Sequence, residues 1–211
     1  MKHANLGAYC VAIAAVAMLA AGCTSGQGAS NESDTLSSSS LSPSAEATRQ
    51  APQPTLTAQA LQPPEQHPAP GRTAVVFDPC TWIPDDSIVK AGFDPNSRTR
   101  GSDQTGVQTF LACRFSSQPR LLTVMSGNVT WDEDLQKNSS RSEPISVNGR
   151  EAMWVHDPGI RRGCEIHMRT KVGFVDLLTT LTVDGAVQGL RPCDGLLEIA
   201  TAIEPSIGKD N

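Results

Sequence analysis

Cysteine is the residue type in this sequence with the widest choice of chemistry, since a thiol can form a disulfide, bind a metal, act as a nucleophile or carry a lipid. The chain contains 6 cysteines, and four of them lie in its C-terminal part, at Cys80, Cys113, Cys164 and Cys193. They are widely spaced and form no Cys-x-x-Cys pair, so the sequence predicts no zinc site among them. An even number of cysteines in an exported chain predicts two disulfides.

Three pairings of these four cysteines are possible from the sequence alone. We favour Cys80 with Cys113 and Cys164 with Cys193, because each bond would then tie the start of a predicted helix to a predicted strand in its own half of the domain. A closed loop of about 30 residues contributes roughly 3 to 4 kcal/mol in the chain-entropy model. Two such bonds would supply a large share of the stability of a small domain.

Histidines and carboxylates form a second candidate group, His156 and Asp157 with Glu165 and His167. The two-residue period of a strand puts Glu165 and His167 on one face, near the end of the strand that precedes His156. Two imidazoles and a carboxylate can bind a divalent metal or do acid–base chemistry. We favour the alternative that they lie on the solvated face of an antiparallel sheet, and we assign no catalytic residue, metal or cofactor. An enzyme that uses His156 and His167 stays the alternative function.

Basic residues form a third group, with Arg161 and Arg162 before Cys164 and with Arg169 and Lys171 near the next turn. Guanidinium groups of this kind bind phosphates and carboxylates. Arg161, Arg162 and Arg169 are therefore candidates for an anion site that receives a lipid headgroup, a glycan phosphate or an acidic protein. A solvated loop accounts for them equally well.

Common catalytic signatures are absent between residues 74 and 209, which contain none of the motifs G-x-S-x-G, H-E-x-x-H, G-x-x-x-x-G-K-S/T or G-x-G-x-x-G. The formal net charge of -5 and the pI near 5.3 argue against a nucleic-acid partner. We therefore predict a binding or accessory domain and not an enzyme.

The elements that must position these residues follow from caps, turns and periodicity. Thr130 and Glu133 form an S/T-x-x-E capping box, and Asn148-Gly149 separates two short apolar runs as in a β-hairpin. The pattern predicts helices over 84–91, 131–138 and 194–203, and Pro205 should stop the last of them. It predicts a loop over 94–106. Strands are predicted over 109–116, 121–126, 145–147, 152–155, 165–170 and 174–183. The predicted fold class is α+β, an antiparallel sheet of about five to six strands with two to three helices on one face and two disulfides.

The N-terminus has the layout of an export signal over residues 1–22, with Lys2 followed by an apolar run from Leu6 to Leu19. The run is shorter than the roughly 20 apolar residues of a membrane-spanning helix. The segment Leu19-Ala20-Ala21-Gly22-Cys23 resembles a bacterial lipobox, which implies cleavage before Cys23 and acylation of its sulfur. Cys23 would then hold the protein at the extracytoplasmic face of the cell membrane.

Residues 23–73 are rich in Ser, Pro, Gln, Ala and Thr and include a run of serines from Ser37 to Ser40. Such a composition buries too little apolar surface to offset its backbone entropy, so we predict a disordered tether. The domain itself is predicted over residues 74–209, which is long enough for one modest core.

Four short motifs carry a family resemblance: Asp78-Pro79-Cys80, Cys113-Arg114-Phe115, Gly163-Cys164-Glu165-Ile166 and Pro192-Cys193-Asp194. In this order they resemble a family of actinobacterial, notably mycobacterial, cell-envelope lipoproteins built on a domain of unknown function. The resemblance spans nearly the whole domain and supports both the favoured cysteine pairing and a location at the membrane. It implies no catalytic or ligand-binding residue, and this chain has Arg191-Pro192-Cys193 where the family usually repeats Asp-Pro-Cys.

Overall fold

The computed structural model describes residues 56–209 and residue 211. The predicted signal over 1–22, Cys23 and the tether as far as residue 55 lie outside these residues. The helices are α1 (Pro79–Trp82), α2 (Asp85–Lys90), α3 (Trp131–Asn138), α4 (Val183–Val187) and α5 (Leu196–Ile207), with a short 3₁₀ turn at Gln59–Leu61. The strands are β1 (Asp94–Arg100), β2 (Gln104–Thr105), β3 (Thr109–Ser116), β4 (Arg120–Gly127), β5 (Ser142–Val147), β6 (Arg150–Val155), β7 (Gly163–Arg169) and β8 (Phe174–Leu181). Within the described residues, no helix combines the length and apolar character that crossing a membrane requires.

All eight strands belong to one antiparallel sheet, in the order β1-β3-β4-β8-β7-β6-β5, with β2 also paired to β3. The prediction of an antiparallel sheet in an α+β domain is confirmed, but the sheet is larger than the predicted five to six strands. The two additional strands are β1 and β2, in the stretch predicted as a loop. Their polar, half-exposed residues suit the edge of a sheet, where no apolar pattern is required.

The main core lies between one face of the sheet and helices α1, α2 and α5. It contains Ile166 and Leu177 from the central strands, Ile88 from α2 and Ile203 from α5, each with an exposed fraction of 0%. Burial of an aliphatic side chain of this size contributes roughly 1.5 to 3 kcal/mol. The three helices therefore owe their position to a continuous apolar layer on this face of β3, β4, β7 and β8.

Helix α3 lies on the opposite face of the sheet, which corrects the prediction that all helices share one face. Trp131 packs with Met153, Val155 and Phe174 in a smaller apolar cluster. Met153 and Phe174 are paired in register with His167 and Arg169, and so they point away from the core that contains Ile166. The number of helices also exceeds the prediction of two to three, because the described chain contains five. The sequence pattern gave the length of α3 but not the side on which it packs.

Two disulfides join Cys80 to Cys113 and Cys164 to Cys193, so the prediction of two disulfides is confirmed. They follow the pairing that the sequence favoured. The first joins α1 to β3, and the second joins β7 to the segment before α5. Both pairs close loops of the length used in the estimate above, with sequence separations of 33 and 29.

The Asp78-Pro79-Cys80 motif is a structured helix start. The Asp78 carboxylate accepts hydrogen bonds from the backbone N–H groups of Cys80 and Thr81, and Pro79 occupies the first turn. Arg100 forms an ion pair with Asp78 at 2.6 Å. Burial raises the pKa of Asp78, and the Arg100 hydrogen bond opposes that shift. The motif thus caps α1 and positions the first disulfide at once.

Helix α5 continues to Ile207, and the prediction that Pro205 stops the helix is wrong. A proline inside a helix leaves the carbonyl four residues earlier without its N–H partner. Here that carbonyl belongs to Thr201, and it accepts a hydrogen bond from Asn148 Nδ2 at 3.0 Å. Because Ile203 and Ile207 are both fully buried, the helix continues through the proline.

Residues 56–73, which the sequence assigns to the tether, lie against the domain. The Leu56 N–H donates to the Thr81 carbonyl, and Leu61 packs against the main core. Arg72 forms an ion pair with Glu133 of α3 at 2.8 Å. Composition alone could not reveal these contacts, because few of the residues in this segment are apolar. The domain therefore begins well before residue 74.

The contacts of Glu133 predict a dependence of stability on pH. The hydrogen bond from Arg72, followed by those from Thr130, lowers the pKa of Glu133 from 4.5 to about 2. A lowered folded-state pKa stabilises the domain above the unfolded pKa, and this stabilisation is lost as the pH falls through the folded pKa. We expect the thermal unfolding midpoint of the wild type to fall more steeply than that of Glu133→Gln between pH 4.5 and 2.

Circular dichroism melts of both proteins measure this difference. The control is Asp86→Asn, at an exposed carboxylate in the first turn of α2, and it should keep the wild-type slope. Equal slopes for the wild type and Glu133→Gln would contradict the prediction.

Candidate functional site

The β7–β8 pair positions the polar residues of the candidate site. In β7, Cys164, Ile166 and Met168 point into the main core, so Glu165 and His167 point to the face that carries α3. Antiparallel register places His167 directly opposite Asp176 of β8. Glu165, His167 and Asp176 therefore lie close together on the face of the sheet that carries α3.

His167 is held by Asp134 of α3, whose carboxylate Oδ2 lies 2.7 Å from His167 Nδ1. The exposed fractions of the two side chains are 9% and 2%, so water screens this contact little. The His167 ring also stacks on Phe174, with ring centroids 4.8 Å apart. Burial lowers the pKa of His167, but the Asp134 hydrogen bond and the charges of Asp176 and Glu165 outweigh it and raise that pKa.

A chain of hydrogen bonds holds Oδ1, the second oxygen of the Asp134 carboxylate. Asn138 Nδ2 donates to Asp134 Oδ1 at 2.9 Å, and the side-chain Oδ1 atom of Asn138 accepts from Arg141 Nε at 3.0 Å. Arg141 in turn forms an ion pair with Asp157 at 2.9 Å. The sequence analysis grouped Asp157 with Glu165 and His167, and the structure places it at the far end of this chain of hydrogen bonds.

Asp176 is the residue with the most unusual environment. Its side chain is 7% exposed, and its Oδ1 atom has no hydrogen-bond partner among the described residues. The nearest cationic group is His167 Nε2 at 3.7 Å, which is too long for a hydrogen bond. Burial raises the pKa of Asp176 to about 7, with the charges of Glu165 and Asp134 adding to the shift.

Glu165 completes a group of potential metal ligands. One ligand atom from each of Glu165, His167 and Asp176 can be chosen so that all three lie within 4.8 Å of one another. Burial raises the pKa of Glu165, although His167 and Arg141 act in the opposite direction. The donor set, one imidazole and two carboxylates, suits a divalent metal ion. Of the four residues in the candidate histidine–acid group, only Glu165 and His167 belong to this set, and His167 is buried and not on the solvated face that we favoured.

Glu165 also lines a cavity of about 360 Å³ at the end of the β6–β7 pair. Its walls combine the apolar side chains of Val155, Pro158 and Ile160 with the Cys164–Cys193 disulfide and three polar residues, His156, Asp157 and Glu165. The volume lies in the range of small-molecule sites in proteins.

His156 does not join His167, so the predicted pair of histidines is not assembled. The His156 ring is 50% exposed and forms an ion pair with Glu143 at 3.3 Å. Asp134 and Asp176 take its place around His167, and the sequence analysis missed both. A signal existed for Asp176, because it is a carboxylate inside the apolar run Phe174-Val175-Asp176-Leu177-Leu178, where a solvated side chain would not be expected.

The three arginines proposed as an anion site do not form one cluster, because Arg169 lies far from Arg161 and Arg162. Arg162 precedes β7 and Arg169 ends it, which separates them by roughly 24 Å at 3.4 Å per residue. Arg169 forms an ion pair with Glu151 at 2.8 Å. Arg161 and Arg162 are exposed, and the described residues provide no ion pair for either of them.

The fold and the site define a class of protein: a single-sheet α+β domain with helices on both faces, two disulfides, and a buried histidine–carboxylate cluster beside a cavity. The chain belongs to the family described as Protein of unknown function (DUF3558), whose model matches residues 18–206. No curated protein and no solved structure has a significant match to the chain.

The hydrogen-bond chain behind Asp134 gives a prediction on stability. Asn138→Ala removes the donor to Asp134 Oδ1 and leaves a buried carboxylate oxygen unsatisfied, which costs about 1 to 3 kcal/mol in the free energy of unfolding. Urea unfolding measures the change. The control Lys137→Ala alters the exposed neighbour on the same helix and should stay within about 0.5 kcal/mol of the wild type. Equal destabilisation by both variants would contradict the role assigned to Asn138.

Proposed function

We propose that this protein is an exported envelope lipoprotein, held at the extracytoplasmic face of the cell membrane by acyl chains on Cys23, whose domain binds an envelope component and is not an enzyme. The observation that carries the export proposal is the pairing of all four domain cysteines in disulfides. Such bonds form and persist in oxidising compartments outside the cytoplasm. The apolar run and the lipobox-like segment ending at Cys23 supply the route and the attachment.

The acyl chains would make the attachment stable. Each buried methylene contributes about 0.8 kcal/mol, so one chain holds a protein only marginally whereas two or more hold it firmly. Residues 24–55 would then connect the lipid to the domain. About 32 residues of flexible chain have an r.m.s. reach of roughly 30 Å. The domain would therefore work close to the membrane surface and meet lipids, glycans or proteins of the envelope.

The binding function is best supported at the cavity beside the Cys164–Cys193 disulfide. Asp157 keeps a lowered pKa because the Gly159 N–H and Arg141 stabilise its charge, so one wall of the cavity is anionic. The Glu165 carboxyl has no hydrogen-bond partner among the described residues. A group that carries hydrogen-bond donors fits these walls better than the anion suggested by the arginines of the sequence. We propose that the cavity receives such a group from an envelope component.

The lipid attachment is tested by the intact mass of the full chain, expressed with its own N-terminus and extracted from membranes. We expect loss of residues 1–22, a diacylglyceryl or triacyl adduct on Cys23 and a mass that increases on reduction and alkylation of two disulfides. Cys23→Ser should lose the adduct and leave the membrane fraction. Cys10→Ser is the control, because this cysteine would be removed with the signal. A wild-type chain without an adduct on Cys23 would contradict the proposed location.

The cavity is tested by a photo-crosslinking amino acid at Pro158, which lines it, in intact cells. We expect a discrete adduct that is lost when Ile160→Trp fills the cavity. The same amino acid at the exposed Val107, beyond the opposite end of the sheet, serves as the control and should give no such adduct. An adduct that persists with Ile160→Trp, or equal labelling from both positions, would argue against binding at the cavity.

A further inference from the structure

We propose that Glu165, His167 and Asp176 form a binding site for one divalent transition-metal ion, with Zn²⁺ as the test ion. The carboxylates of Glu165 and Asp176 and the Nε2 atom of His167 would be the protein ligands. A water molecule from the adjoining cavity would complete the coordination. This site goes beyond the proposed binding function and does not depend on it.

The spacing of the ligand atoms carries the proposal. His167 Nε2 and Asp176 Oδ1 lie 3.7 Å apart, too far for a hydrogen bond. Two ligands at about 2.0 to 2.1 Å from a tetrahedral zinc ion lie about 3.4 Å from each other, close to the observed separation. The Glu165 carboxylate lies within 4.8 Å of the other two ligand atoms, and a rotation of its longer side chain brings it into range.

His167 is already oriented as a metal ligand. Its Nδ1 atom lies 2.7 Å from Asp134 Oδ2 and donates to that carboxylate, so once Nε2 loses its proton on metal binding its lone pair would face Asp176. Metal-bound histidines almost always donate their second ring N–H to a carboxylate or carbonyl in this manner. Phe174 stacks on the ring at an interplanar angle of 9° and limits its rotation.

The burial of Asp176 provides independent support. Its side chain is 93% buried, and its Oδ1 atom is directed at the centre of the cluster without any hydrogen-bond donor among the described residues. Unpartnered polar atoms are rare in folded proteins because burial without a partner costs free energy. A divalent cation would satisfy this oxygen and offset the negative charge that three carboxylates bring to one histidine.

The donor set also selects the type of metal. Mg²⁺ and Ca²⁺ prefer shells made entirely of oxygen, whereas an imidazole ligand suits zinc and its transition-metal neighbours. Access is available because Glu165 lies both in the cluster and on the cavity wall, with the Asp157 carboxylate on the same wall. Three protein ligands would leave one position of a tetrahedral ion open to water from the cavity.

The test uses the full chain without a histidine tag, stripped with a chelator and then equilibrated with Zn²⁺ alone. After excess metal is removed by gel filtration, we expect elemental analysis to find about one zinc per chain. Calorimetric titration should show affinity falling at least 100-fold in His167→Gln and at least tenfold in Asp176→Asn and Glu165→Gln. Asp134→Asn should weaken binding by 10- to 100-fold, as loss of a partner behind a ligand does.

The control is His67→Gln, which removes an exposed imidazole outside both the cluster and the cavity and should bind zinc as the wild type does. Circular dichroism confirms that each variant is folded. If His167→Gln fails to fold, the half-exposed Glu165 decides the matter, since Glu165→Gln leaves the core untouched. Wild-type protein without stoichiometric zinc, or zinc binding unchanged in Glu165→Gln and Asp176→Asn, would overturn the proposal.

Discussion

Both faces of the β7–β8 pair are covered. Alternate side chains along each strand therefore pack into two different interiors. One set, with Ile166 and Leu177, belongs to the main core. The other set, with His167 and Asp176, lies under α3, where these two side chains are only 9% and 7% exposed. A shift of register by one residue would exchange the two sets and put ionisable groups into the main core. The second disulfide, at Cys164 of β7, ties this pair to the segment before α5 and holds the register.

Helix α3 forms the second interior by covering the face of the sheet opposite the main core. Its capping box fixes where it begins, and Trp131 and Asp134 on its inner side supply an apolar contact and a charged one. Arg72 reaches α3 from the N-terminal part of the domain, before α1, and pairs with Glu133. The residues that hold α3 in place thus come from parts of the chain far apart in sequence, while the residues beneath it come from three neighbouring strands, β6, β7 and β8.

Local signals predicted much of this structure. The capping box gave α3 with its exact bounds, Asn148-Gly149 gave the hairpin, and apolar runs gave β3 and β8. Features that depend on tertiary contacts could not be predicted from these local patterns. The edge strand β1 is polar, the contacts of residues 56–73 are few and scattered, and Pro205 is accommodated only because Asn148 supplies a distant hydrogen bond. For the site, Glu165 and His167 followed from strand periodicity, but Asp134 and Asp176 required the side on which α3 packs and the register of β8. His156, the remaining histidine of the candidate group, is half-exposed, as the favoured interpretation of a solvated face expected.

The hydrogen bond from Asn148 to Thr201 also bears on the order in which the contacts of α5 form during synthesis. The Thr201 carbonyl of α5 accepts a hydrogen bond from Asn148, which lies 53 positions earlier in the chain. Arg150 of the same hairpin donates hydrogen bonds to Glu204, Gly208 and Asn211. During synthesis the hairpin leaves the ribosome before these residues exist. The surface that receives the end of α5 is therefore made before α5 itself, and the residues after Ile203 complete these contacts. A chain that is cut short after Ile203 would keep every strand of its sheet and still lack the contacts that secure its last helix.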